Sequence, residues 1–357
     1  SLNDQAQEML RKWEAGDEHV RDLWQRMNAW AFEGFEATYR LFGVTFDKQY
    51  YESELYTKGK EIVNDGLARG IFAKRDDGAV VVDLEEEKLG QKVLLRSDGT
   101  AVYIVQDLYL AGLKNTEYNF DRSVYVVGNE QEYHFKVLAQ IFRKLGFPIA
   151  DKLYHLSYGM VELPEGKMKS REGTVVDADD IINDTRDLAR EEVASRYDLT
   201  GDELEERSLK IALAAIKYTL LKIDTAKNMV FNPKQAISFE GDTGPYLLYS
   251  YARASSILRK LDGEPPFELV EPNEYEARLV KALGRFPEVV KAVHDRLTPS
   301  LLAAYAFTLA QVFNEFYHNC PVIKSDRAGF RVALVKALRS VLKDCINLLG
   351  IEEIEEM

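Results

Sequence analysis

Three runs of this sequence carry side chains suited to chemistry on a charged small molecule. The first is Gly166-Lys167-Met168-Lys169-Ser170-Arg171-Glu172-Gly173-Thr174, a basic stretch that follows the turn-forming Pro164. Attack of a carboxylate on the α-phosphate of a nucleoside triphosphate builds negative charge on the departing pyrophosphate. Flexible ammonium and guanidinium groups on a closing loop stabilise that charge, though a solvated, charged hairpin fits the same residues. The second run is Arg96-Ser97-Asp98-Gly99-Thr100, ahead of a helical pattern in which Tyr103 and Asp107 fall one turn apart and share a face. A carboxylate placed this way suits a planar guanidinium, which it holds through two charge-assisted hydrogen bonds. The plainer alternative has Asp98 capping the helix and Asp107 in water. The third is Val124 to Phe135, a strand running into a helix start, where Gln131 and His134 share a helix face. Such carboxyl ends of strands are where open α/β sheets bind ligands. A hydrogen-bonded structural histidine is the competing reading.

The elements that must position these residues follow from periodicity. Asp17 is placed to cap a helix on which Val20, Leu23, Trp24, Met27, Trp30 and Ala31 recur at helical spacing. Short β-branched or aromatic segments at 79–83, 93–96, 124–127 and 153–159 predict strands. Helical patterns over 99–113 and 132–145 lie between them, which predicts an α/β layer with a parallel sheet ending near Asp180. Beyond it, residues 203–223, 245–261, 274–295, 299–317 and 326–349 carry apolar residues at three- and four-residue steps, the pattern of a helical bundle. Thr298 and Pro299 mark one helix start and Gly350 the last helix end, and 263–266 form a short surface connection.

Composition limits the functional classes. The chain has 357 residues, 46% hydrophobic and 29% charged, enough for two domains with real cores. Its first residues lack the apolar region of a signal peptide and no apolar stretch spans a bilayer, so a cytoplasmic location is expected. Cys320 and Cys345 have no partner spacing for zinc or a disulfide framework, which predicts buried thiols and no metal site. The formal charge of -13 argues against a general polyanion binder, so any nucleic-acid contact must be local.

Taken in order, these runs resemble the class I arginyl-tRNA synthetases over essentially the whole chain. The resemblance implies an α/β, partly Rossmann-like catalytic portion over 1–180, a helical stem-contact connection over 181–240 and an all-α anticodon-binding domain over 241–357. It implies that Tyr103, Asp107 and Gln131 bind arginine, that His134 and Met168 contact ATP, and that Lys167, Lys169 and Arg171 act on the pyrophosphate. Where the class signature reads Lys-Met-Ser-Lys-Ser, this chain reads Lys-Met-Lys-Ser-Arg, so the three cations share the role. The stretch from Gly241 to Arg253 is similar to the start of the family's anticodon-binding domain, and 313–321 and the acidic tail resemble its close. Tyr246, Tyr249, Arg253, Phe316 and Met357 are thereby implied to meet the anticodon, although aromatics at helical spacing equally fit packing.

The implied reaction takes arginine and ATP with Mg²⁺ to an adenylate and transfers arginine to tRNA(Arg), in an enzyme expected to be monomeric when full length. None of His19, His134, His155, His294 or His318 lies in the His-x-Gly-His setting of class I enzymes. The resemblance therefore implies that the first half of the nucleotide fold lies outside this chain, which alone is expected not to activate arginine. A non-catalytic tRNA-binding module and an unrelated α/β ligand-binding protein remain the alternatives.

Overall fold

The computed structural model describes residues 2–55, 58–164 and 177–357. Helices α1 (Leu2–Ala15) and α2 (Glu18–Phe42) open the chain. Asp17 caps α2 as its side chain accepts from the Val20 N–H at 3.0 Å, and Gly43 ends it with φ +66°, a conformation costly for any other residue. Trp13 and Trp24 pack the two helices edge to face. The expected apolar stripe is present, yet α2 has no buried residue, and Met27, Trp30 and Phe35 stand exposed.

After α3 (Glu52–Leu55) and α4 (Gly59–Ala68) come strands β1 (Ala73–Lys74), β2 (Val80–Leu84) and β3 (Gly90–Leu95). These pair antiparallel, with Val81 opposite Val93 and Asp83 opposite Gln91. This corrects the expected wholly parallel layer. Residues 85–89 are too few for a parallel crossover, which takes roughly a dozen or more, and Lys88 and Gly90 turn the chain with positive φ. The parallel pairing appears in the next unit: α5 (Tyr103–Tyr118), β4 (Ser123–Gly128), α6 (Glu132–Leu145) and β5 (Leu153–Tyr158), with Ser123 to Gly128 aligned on Leu153 to Tyr158. Val63, Leu84, Leu94, Leu108, Leu138 and Phe142 form the centre of its core.

β6 (Val161–Glu162), α7 (Ala178–Arg196) and α8 (Gly201–Leu221) lead to β7 (Met229–Val230), which returns to pair with β6 in parallel. Gly159 makes this seam possible. A Cβ there would lie 2.4 Å from the Lys227 carbonyl carbon, and its N–H donates to Thr225 O at 2.7 Å. Met229 N–H to Met160 O and Phe231 N–H to Glu162 O continue the stitching at 2.9 and 2.8 Å.

The remaining elements are helices: α9 (Pro233–Ala236), α10 (Gly244–Arg259), α11 (Glu274–Gly284), α12 (Phe286–Arg296), α13 (Ser300–Asn319) and α14 (Ala328–Leu348). The single helix expected over 274–295 is broken at Arg285, because Pro287 has no N–H to extend the ladder and takes the first turn of α12 instead. A second core, separate from the first, runs from Ile182 through the bundle to Ile354 and includes Met229 and Phe231. Cys320 and Cys345 are buried in it and unpaired. Burial pushes the Cys345 thiol up to about 12. No helix among the described residues is long and apolar enough to cross a membrane.

Candidate substrate pocket and tRNA interface

Residues 96–100 close a turn that fixes where α5 begins. Asp98 accepts from the Thr100 N–H at 2.9 Å and its hydroxyl at 2.7 Å, and Arg96 donates to the Thr100 hydroxyl at 3.0 Å. Those bonds from Thr100 hold the Asp98 carboxyl below the usual range. Asp98 thus shapes the turn and does not cap the helix, which starts at Tyr103. Tyr103 projects into solvent at the rim, and Asp107 stands one turn further in.

β4 ends at Gly128, a short 3-10 turn carries Asn129 to Gln131, and α6 follows. This places His134 against α5, where its Nε2 meets Asp107 Oδ2 at 2.7 Å. The pair is partly open, with side chains 21% and 34% exposed. Gln131 is exposed one turn before His134. Beneath them Phe135 stacks on His155 at 4.6 Å and meets Tyr125 at 5.0 Å. Lys114 lies over the Tyr125 ring at 4.0 Å and donates to the Ser123 hydroxyl at 3.2 Å. Burial lowers the Lys114 pKa despite the nearby Asp107 charge. Lys114 was not apparent from the sequence, because nothing in its spacing shows that the strand after α5 folds back beneath it.

Lys167, Met168, Lys169 and Arg171 lie outside the described residues. Among the described residues, no group of three His, Cys, Asp or Glu side chains could hold a metal ion.

The second site is a cleft of about 940 Å³ in the helical half. Tyr249 and Arg253 line it from α10, Tyr317 from α13, Tyr197 from the end of α7, Lys324 from the loop before α14, and Met357 from the tail. Thr243 caps α10, its hydroxyl oxygen accepting from the Tyr246 N–H, and so sets the rotation of these side chains. The Arg253 guanidinium lies 4.5 Å from the Tyr249 ring centre and 5.0 Å from that of Tyr317. It donates to Tyr249 Oη and to Asn314 Oδ1, both at 2.6 Å, while Asn314 donates to Tyr246 Oη at 2.8 Å. A second hollow of about 450 Å³, sharing Tyr197, Tyr249 and Arg253, adds Tyr246 and Arg196. Arg253, Lys260 and Lys324, beside an Arg259 paired with Glu356, leave an excess of cations on this surface within an acidic chain. Four of the five residues expected to meet RNA therefore converge. Phe316 does not: it is wholly buried in the core, on the inward side of α13, and has no face to offer a base. Neither Tyr197 nor Asn314 is among the sequence candidates; the one signal for Asn314 is an amide within a largely apolar helix.

An α/β unit with a parallel strand pair joined to a helical bundle bearing an aromatic, basic cleft is the arrangement of a class I aminoacyl-tRNA synthetase. A family model described as tRNA synthetases class I (R), catalytic domain, matches residues 1–233, and one for the DALR anticodon binding domain matches 247–357. The chain belongs to the class I (R), or arginine, family of tRNA synthetases. It is 47% identical over 363 residues to an arginine–tRNA ligase of Bacteroides thetaiotaomicron, covering 98% of this chain and 61% of that protein. It is also 47% identical over 369 residues to one of Treponema denticola, covering 99% and 62%. The chain thus spans about three fifths of these relatives' length. Its fold is similar to that of the Thermus thermophilus arginyl-tRNA synthetase, with TM-score 0.82, 25% identity and coverage of 97% and 68%. The Plasmodium falciparum enzyme gives TM-score 0.85 at 23% identity, covering 99% of this chain and 62% of that one.

Proposed function

We propose that this chain carries the arginine-selecting part and the tRNA-binding part of an arginine–tRNA ligase. The observation that carries the reading is the Asp107 carboxylate on α5, half-buried and held by His134 at the start of α6, which follows β4. A guanidinium is the side chain best matched to it, since its planar fork gives a carboxylate two parallel charged hydrogen bonds where an ammonium gives a point contact. His134 holds one carboxylate oxygen, which fixes the plane the guanidinium must meet, and its ring edge is available to ATP. ATP arrives with Mg²⁺, and Lys167, Lys169 and Arg171 with Met168 act on its phosphates and adenosine. The arginine carboxylate attacks the α-phosphate and pyrophosphate leaves; a ribose hydroxyl of the tRNA terminal adenosine then attacks the arginyl carbonyl, and AMP leaves. Positioning and charge stabilisation suffice, with no covalent bond to the enzyme. The reaction is cytoplasmic and the enzyme acts as a monomer.

The cleft between α10, α13 and the tail takes unpaired anticodon bases, with Tyr249 and Tyr317 as stacking faces and Arg253 on phosphate. Filter binding of tRNA(Arg) and an unrelated tRNA to the chain tests this. The expected result is a preference of at least about tenfold for tRNA(Arg), weakened by salt, with Tyr249→Ala losing a stacking contact of about 1–3 kcal/mol and Arg253→Ala weakening both tRNAs alike. Equal binding of both tRNAs would overturn it.

A further inference from the structure

The tail after α14 reads Ile351-Glu352-Glu353-Ile354-Glu355-Glu356-Met357, with an apolar residue at every third position and acids between. It is neither helix nor strand, yet Ile351 and Ile354 are buried and Met357 packs on the same core. The acids meet cations from three helices. From α8, Lys210 reaches Glu352 at 2.6 Å, Lys217 donates to Gly350 O and Arg207 donates to Glu356 O. From α10, Arg259 donates to Glu355 O at 2.9 Å and pairs with Glu356 at 3.0 Å. From α14, Lys343 pairs with Glu353 and Arg339 with Glu355, the latter at 2.6 Å. Glu355 also accepts from Tyr251 Oη at 2.7 Å, and Tyr251 stands on α10 between Tyr249 and Arg253. The residue that the lacing delivers is Met357, on the wall of the cleft.

We propose that the acidic tail is an ionic clamp that sets Met357 as one wall of the RNA cleft, with Glu355 the positioning residue that ties this wall to α10. The inference rests on the reading of the cleft as a base site. A base held between a methionine and a tyrosine needs both walls at fixed separation, and van der Waals contact falls steeply with a gap of under 1 Å. The clamp consists of surface ion pairs, which salt screens. Salt therefore weakens RNA binding twice, at the phosphates and at the wall.

The test is a double-mutant cycle on tRNA(Arg) affinity, using Glu355→Gln, Met357→Ala and the pair, with arginine affinity and thermal midpoint measured alongside. Loss of one stacking wall is about five- to 150-fold in affinity. Met357→Ala is expected to show such a loss, Glu355→Gln a comparable one, and the double variant no more than Met357→Ala alone, with arginine binding unchanged. Arg339→Gln should reproduce Glu355→Gln. If the two losses multiply, or Glu355→Gln binds as the parent does while Met357→Ala is impaired, the clamp is refuted and the cleft assignment stands. If Met357→Ala and Tyr249→Ala both bind as the parent does, the cleft assignment fails and the clamp with it.

Discussion

Replacing Asp107 by alanine should weaken arginine binding about 30-fold while leaving the fold intact. A hydrogen bond to a charged partner contributes on the order of 1.5–3 kcal/mol, and Asp107 keeps 34% of its side chain in water, so screening holds the value near the middle of that range. A loss of about 2 kcal/mol is about 30-fold in the dissociation constant. The substitution removes no core contact, and the abandoned His134 is itself 21% exposed and can turn to water. The change in stability should therefore stay within about 1 kcal/mol, the scale of an exposed ion pair. Asp107→Asn should be nearly as damaging as Asp107→Ala, because it keeps the shape and the hydrogen bond to His134 but loses the charge. Equilibrium dialysis with labelled arginine measures this, with citrulline as the matched neutral ligand. Arginine should be preferred over citrulline by the parent and much less so by either variant. Arginine binding within about twofold of the parent in Asp107→Ala, or full binding in Asp107→Asn, would refute the pocket assignment.

Three further outcomes follow from burial and charge. Phe316→Ala should lower stability by about 3–5 kcal/mol, read from urea midpoints, because its ring lies wholly in the core. Glu276 is fully buried and paired with Arg331 at 2.7 Å and Arg327 at 3.0 Å. Glu276→Ala leaves that cationic pair uncompensated and should cost about 3–5 kcal/mol, measured by denaturant titration, with Glu276→Gln intermediate. In the tail, burial works against the Glu355 charge, but bonds from Tyr251, Ser255 and Arg339 outweigh it and hold the carboxyl below the usual glutamate range. A carboxylate depressed on folding stabilises above its unfolded pKa and loses that contribution as pH falls through its folded value. The parent should therefore lose stability more steeply than Glu355→Gln below about pH 4.5, and parallel curves in pH-dependent urea melts would contradict it.

Local features of the fold were legible and remote ones were not. Asp17 caps α2 as its position implied, and strands form at 124–127 and 153–158, since β-branched or aromatic runs bounded by Gly or Asp leave few options. The parallel reading of 79–96 ignored the shortness of 85–89, which only a hairpin can bridge. The helical pattern over 274–295 runs through Pro287, a breaker visible in the sequence, and the helix divides there. Site assembly depends on pairs far apart in the chain. Asp107 meets His134 across a strand and two turns, and Tyr197 reaches Tyr249 only through bundle packing. Periodicity reports which residues face inward on one helix, but not which helix lies opposite. Phe316 shows that limit: its spacing suited either face of α13 until the neighbouring helices settled it.

The seam at Gly159 bears on how far this protein can be treated as interchangeable modules. Strand β7 gives its backbone to β6 in a two-stranded sheet of their own, while Met229 and Phe231 give their side chains to the bundle's core. A chimaera joined anywhere between β6 and β7 would take the hydrogen-bond ladder from one parent and the packing beneath it from the other. Any non-glycine residue at 159 would push the two segments apart at the same place. A graft placed after β7 lets one parent supply the whole stitched seam, and the new bundle must then accept Val161, Leu163, Met229 and Phe231 as its own.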